Sequence, residues 1–233
     1  MRRALGTVLV VAGLLVLADV AVTLAWQEPL SALRAGRAQH RLAAELARAE
    51  AAERASGAPA EAKRAAGGRG AAAARGARLA AAARAFARSR HDGAAVAELR
   101  ISRIGLRAIV VRGTAPADLR EGPGLLDGAP LPGEHGTTVI AGHRTTYGAP
   151  FRRLDALRRD DPITVRLPYG SFRYAVEGTR VVDPGDLSVL RRVRHDRLVL
   201  SACHPLFSAA RRIVVFARLV GIGQSASTIK RSV

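Results

Sequence analysis

The chain has 233 residues, enough for one domain of ordinary size with appendages, and its 37 Lys and Arg against 19 Asp and Glu give a formal net charge of +18. That balance raises nucleic acid as a partner, but only 4% of residues are aromatic and no finger, homeodomain or RNA-binding signature is present, so nucleic acid is set aside. The single cysteine excludes an intrachain disulfide, and in an oxidising compartment an unpaired thiol is a liability unless it has a chemical task.

Met1-Arg2-Arg3 precedes an apolar run from Ala4 to Ala25 that is broken by one charge, Asp19. As a helix this run is about 33 Å long, sufficient for a hydrocarbon core. Basic residues stand ahead of it, Trp26 stands behind it, and no Ala-x-Ala cleavage site follows. The expectation is therefore an uncleaved single-pass anchor over residues 1–27 rather than a signal peptide, with a cytoplasmic N-terminus and the remainder extracellular at the cell membrane.

Residues 28–94 change character abruptly: alanine and charged residues dominate, and Leu42 and Leu46 are nearly the only apolar i,i+4 pair. Alanine and arginine favour helix, while Gly57-Ala58-Pro59 and Gly67-Gly68-Arg69-Gly70 break the segment into pieces. This composition predicts a helical or partly disordered stalk with no packed core, its arginines attracted to anionic lipid or wall polymer.

A globular domain is expected over 95–223, followed by a short tail, 224–233. Val96–Ile101, Leu106–Val111, Thr137–Ala141, Ile163–Leu167, Phe172–Glu177 and Thr179–Val182 read as strands. Pro168-Tyr169-Gly170-Ser171 reads as a hairpin turn. Short helices are predicted from Pro150 to Leu157 and after Asp186. Two further strands close the domain. One is Leu198-Val199-Leu200-Ser201-Ala202-Cys203, stopped by Pro205, and the other runs from Arg211 to Val220. Many short strands with Gly/Pro punctuation predict a mostly β, closed or nearly closed barrel. Alternation along the first of these strands sends Val199, Ser201 and Cys203 to one face and Leu200, Ala202 and His204 to the other, so the base that serves Cys203 must come from elsewhere.

The six histidines are His40, His91, His135, His143, His195 and His204. His143 directly follows the buried-looking Thr138-Val139-Ile140-Ala141, where a barrel presents a residue at its rim. One cysteine and scattered histidines lack the spacings of a zinc site, so no metal or other cofactor is expected. No G-x-S-x-G elbow signals a serine hydrolase. A cysteine, a histidine and an arginine remain. A thiolate attacks an acyl carbon, an imidazole handles the leaving-group proton, and a guanidinium stabilises an oxyanion.

Val139-Ile140-Ala141-Gly142-His143-Arg144, Leu200-Ser201-Ala202-Cys203-His204-Pro205 and Arg212-Ile213-Val214-Val215 together resemble the sortases, cysteine transpeptidases of the Gram-positive surface. Thr145-Thr146-Tyr147-Gly148-Ala149-Pro150-Phe151 is most similar to the class E branch typical of actinobacteria. The resemblance implies an eight-stranded barrel with Cys203 as nucleophile, His143 as general acid/base and Arg212 as oxyanion and substrate stabiliser, Arg211 being the rival for the last role. It departs at Val199 and Ala202, where the family usually carries threonines. It further implies that a surface protein bearing a C-terminal sorting signal (LPxTG- or LAxTG-like) is cleaved between Thr and Gly through a thioester and passed to an amine of peptidoglycan or a pilin. Two alternatives stand beside it. One is an L,D-transpeptidase, whose usual Ser-x-Gly-Cys is missing here. The other is a non-catalytic anchored β-domain that binds cell-wall polymer.

Overall fold

The computed structural model describes residues 9–17, 29–55, 69–191 and 193–223. Among them lie the strands β1 (Ala95–Ile101), β2 (Leu106–Arg112), β3 (Gly124–Leu125), β4 (Thr137–Ala141), β5 (Pro162–Leu167), β6 (Gly170–Val182), β7 (Arg197–His204) and β8 (Arg211–Gly223). They close into a barrel with the neighbour order β1-β2-β3-β4-β7-β8-β6-β5. The β-rich barrel with short helical turns is thus present. β4 lies parallel to β7, with Val139 beside Val199 and Ala141 beside Ser201. β7 pairs antiparallel with β8.

The apolar runs of β7 and β8 are continuous because this part of the sheet is covered on both faces. Leu198, Leu200, Ala202, Ile213, Val215 and Ala217 join the main core inside the barrel. The alternate set, Val199, Val214 and Phe216, packs with Val139 and Val182 in a second cluster outside it. The predicted hairpin joins β5 to β6. The two strands expected over 172–182 are one, and a register irregularity between Val176 and Gly178 carries β6 through the glycine. The helix expected after Pro150 is reduced to a 3-10 turn, Leu154–Ala156. After Asp186 the turn Leu187–Leu190 forms, with the Asp186 carboxylate accepting from Ser188 N–H.

Two Ala/Arg-rich helices, α1 (Pro29–Ala55) and α2 (Arg69–Arg88), precede the barrel. They differ from a stalk without a packed face. Leu42 and Leu46 are buried against Ala95, Ile109 and Val111, and Ala83 and Phe86 enter the main core. The Gln39 amide accepts from Ile109 N–H (2.6 Å) and donates to Ile109 O (3.0 Å) and Glu121 O (2.8 Å). One i,i+4 leucine pair and an amide that mimics a strand neighbour seat the helix, helped by the polar contacts of Arg41 with Glu121 and of Glu50 with Arg166.

The membrane expectation requires correction. Of the apolar run Ala4–Ala25, only residues 9–17 are described, as a helix of exposed side chains; the rest, including Asp19, and Trp26 lie outside the described residues. Among the described residues no helix is long and apolar enough to cross a membrane. At 1.5 Å per residue the 9–17 helix covers about 13 Å, under half of a hydrocarbon core. The single-pass anchor, and the cell-membrane location built on it, are therefore withdrawn.

Candidate active site

Cys203 is the penultimate residue of β7, half-buried and unpaired. Directly across the β7–β8 ladder its register partner is Arg212. On the other side of β7, Gly142 N–H donates to Ser201 O at 3.0 Å, extending the parallel pairing one residue past the end of β4. His143 is the next position. Alternation puts Val139 and Ala141 on the outer face with Val199, Ser201 and Cys203, and with Phe216, Val214 and Arg212. Cys203 and Arg212 are thus paired at one end of β7–β8, and His143 lies in the loop two residues past the end of β4, the strand on the other side of β7.

The histidine arm is tightly built. A Cβ on Gly142 would stand 2.7 Å from the Phe151 ring, so only glycine fits ahead of His143. His143 O accepts from Phe151 N–H at 3.0 Å. Between them Tyr147, Gly148 and Ala149 hold φ values of 52°, 75° and 41° in succession. Two non-glycine residues in left-handed conformation cost about 1–3 kcal/mol each and persist only where neighbours enforce them. Here the neighbours belong to α1: Ser31 Oγ accepts from Tyr147 N–H at 3.4 Å, and the Ala35 methyl packs below Gly148. The Tyr147 ring lies 5.0 Å from the His143 ring, tilted by 40°. Burial, and then the Arg120 charge, hold the His143 imidazole below its ordinary pKa.

The two arginines separate cleanly. Arg212 Nη1 donates to the carbonyls of Ala209 (2.9 Å) and Arg211 (3.0 Å), which folds the guanidinium over the β7–β8 connection. Arg211 is the register partner of His204 and reaches Asp183 at 3.8 Å. His204 is engaged elsewhere, its Nδ1 accepting from Arg144 Nη1 at 2.9 Å. The remaining histidines are scattered. His135 meets Asp196 at 3.3 Å and His195 meets Glu177 at 3.2 Å. His91 Nδ1 lies beside Asp92 O, and His40 is exposed on α1.

Arg144 was not singled out by sequence reasoning, which treats arginine as a surface residue in so basic a chain. It is only 3% exposed. Besides His204 it donates to Arg152 O at 3.3 Å and pairs with Asp155 at 2.9 Å. It therefore ties the residue after the cysteine to the segment that follows the histidine arm. Its place immediately after a glycine-histidine pair at a strand end was the available signal.

Comparison with known proteins gives a consistent picture. Residues 99–220 match the Sortase domain family. The chain is 32% identical over 133 residues to Sortase D of Bacillus subtilis (strain 168), covering 55% of this chain and 65% of that protein. It is 32% identical over 94 residues to sortase SrtE1 of Streptomyces coelicolor, covering 36% of this chain and 27% of that one. The match thus spans less than two thirds of either curated relative. Among solved structures, the Clostridium perfringens Sortase D5 transpeptidase aligns with a TM-score of 0.55 at 25% identity, covering 60% of this chain and 88% of that chain.

Proposed function

The chain belongs to the sortase family, and on that premise we propose that it is a cysteine transpeptidase that attaches surface proteins to the cell wall, of the class E type. The observation that carries this reading is the pairing of Cys203 with Arg212 across β7–β8, with His143 at the end of the strand on the opposite side of β7.

A surface protein presents its C-terminal sorting signal, an LPxTG- or LAxTG-like peptide, across the outer face. His143 takes the proton of the Cys203 thiol, and the thiolate attacks the threonine carbonyl carbon. Arg212 Nε and Nη2, which carry no hydrogen bond among the described residues, face the developing oxyanion while Nη1 stays anchored on the loop carbonyls. Cleavage of the Thr–Gly bond expels the glycine amine, which takes its proton from His143. The resulting thioester is then attacked by an amine of peptidoglycan or of a pilin, His143 now accepting the amine proton. Burial of the imidazole favours its neutral, proton-accepting form, which suits this second half-reaction.

Incubation of the protein with a sorting-signal peptide and a small amine tests the reading. Cys203→Ala abolishes cleavage; turnover by that variant removes the residue as nucleophile. Arg212→Ala lowers the rate by about 10²–10³, and a larger loss in Arg211→Ala reverses the assignment. A non-catalytic β-domain would instead show a thiol that neither labels rapidly nor is protected by the peptide.

A further inference from the structure

A trough leads away from the rim along the β4–β5 connection. One lobe, of about 410 Å³, is lined by Arg103, Arg153, Asp155 and Arg158 among others. A second, of about 350 Å³, shares Arg153 and Asp155 and adds Arg152 and Leu206. The two lobes share Arg153, Asp155 and Ala156 in their walls. The trough borders the segments that follow each arm of the site in sequence. Asp155 and the Arg152 carbonyl are held by Arg144, the residue after His143. Leu206 follows Cys203 by three positions, and the Arg152 guanidinium lies 5.9 Å from the Phe207 ring centroid.

Charge within this trough is unbalanced. Asp155, the one acid lining it, is already claimed by Arg144, and Arg103 is claimed by Asp161 at 2.9 Å. Arg153 and Arg158 form no ion pair among the described residues. Arg152 Nη1 is buried with no hydrogen-bond partner. Leaving a buried donor unpaired costs about 1–3 kcal/mol, and more on a charged group; beside it the unpaired guanidinium groups of Arg153 and Arg158 stand exposed to an incoming anion. Guanidinium forks suit the two-oxygen edge of a carboxylate or phosphate.

We propose that this trough is the subsite for the second substrate, an amine acceptor that carries a carboxylate or phosphate group, which Arg152, Arg153 and Arg158 bind. The inference rests on the transpeptidase reading above. The acceptor's nitrogen attacks the thioester carbonyl as its anionic group lies in the trough. A C–N bond forms, the C–S bond breaks, and the proton lost by the amine passes through His143 to the departing Cys203 sulfur. Nothing is oxidised or reduced. Binding of the anionic group raises the share of aminolysis over hydrolysis by holding the nitrogen near the thioester.

The experiment measures product formation by the full chain with one sorting-signal peptide and paired acceptors. Glycylglycine is compared with glycylglycinamide, and the O-phosphate of glycylserinamide with its unphosphorylated form. The anionic member of at least one pair is expected to show kcat/KM about tenfold higher, as one charge-assisted contact provides; the preference falls at high salt. Which pair discriminates tells carboxylate from phosphate. Arg153→Glu and Arg158→Glu, both at exposed positions, are expected to bring the ratio to one or below. Ratios near one for both pairs in the native protein overturn the proposal, as does a ratio unmoved by the glutamates. If the native protein does not cleave the peptide, or Cys203→Ala still does, the transpeptidase reading itself fails, and the two outcomes are distinguishable.

Discussion

Two clusters of arginine on the same barrel are put to opposite uses. Around Glu98, whose side chain is 4% exposed, Arg107, Arg166 and Arg100 converge on one carboxylate, with Arg166 at 2.5 Å and Arg100 at 3.7 Å. Glu50 of α1 adds a second acid 3.4 Å from Arg166. In the trough beyond the histidine arm, Arg152, Arg153 and Arg158 gather around an acid already spent on Arg144. The first cluster is closed and holds β1, β2, β5 and α1 together; the second is open and faces solvent. Arginine content alone does not separate them. What separates them is where the carboxylates are, so function is read from the acids as much as from the bases.

The comparison is broken most directly by emptying the closed cluster. Glu98→Ala strips the buried carboxylate from Arg166, 25% exposed, and from Arg100 and Arg107, which are 53% and 62% exposed, and is expected to lower unfolding free energy by about 3 kcal/mol, the low end for a broken buried pair, measured by denaturant titration; a loss below 1 kcal/mol would make the cluster an ordinary surface network. Next comes the apolar seat of the same helix. Leu42→Ala removes a side chain 1% exposed and should cost about 2–5 kcal/mol. If instead α1 comes away without affecting the barrel, denaturation will show two separate transitions.

A smaller effect lies between the clusters and concerns proton binding. His143 is held below 6.5, first by burial and then by Arg120. The folded state therefore favours the neutral ring, and the unfolded chain takes up the proton first as pH falls below 6.5. Stability declines from there down through the lower folded value. Arg120→Ala removes the lesser cause, so the imidazole pKa rises part of the way back and the window narrows. Imidazole NMR titration in a Cys203→Ala background reads this, and a pKa that stays or falls would strike Arg120 from the causes. Smallest of all, Arg153→Ala should change unfolding free energy by less than about 0.5 kcal/mol, as an exposed unpaired charge does. A substantial loss would place the trough with the closed cluster.

Most of the barrel was legible because β-branched apolar runs of strand length admit few other readings. β3 was missed because Gly124–Leu125 is two residues long and carries no periodicity. β6 was divided at Gly178, since a glycine in the sequence cannot show that a bulge absorbs it. The seating of α1 was hidden because Leu42 and Leu46 look too sparse until Ile109 and Val111 are placed beneath them. In the site, Cys203 stood out by being unique and His143 by following a buried strand. Arg144, and the arginines of the trough, were lost in a background of similar residues, where only three-dimensional neighbours distinguish one guanidinium from another.

The contact between Ser31 and the Tyr147 backbone has a mechanical consequence. Ser31 and Ala35 occupy the opening turns of α1, directly beneath three successive left-handed residues that carry the Tyr147 ring to the His143 ring. The loop that sets the Tyr147 ring beside the His143 imidazole is therefore braced from α1, so the seating of that helix on the barrel also fixes the ring contact.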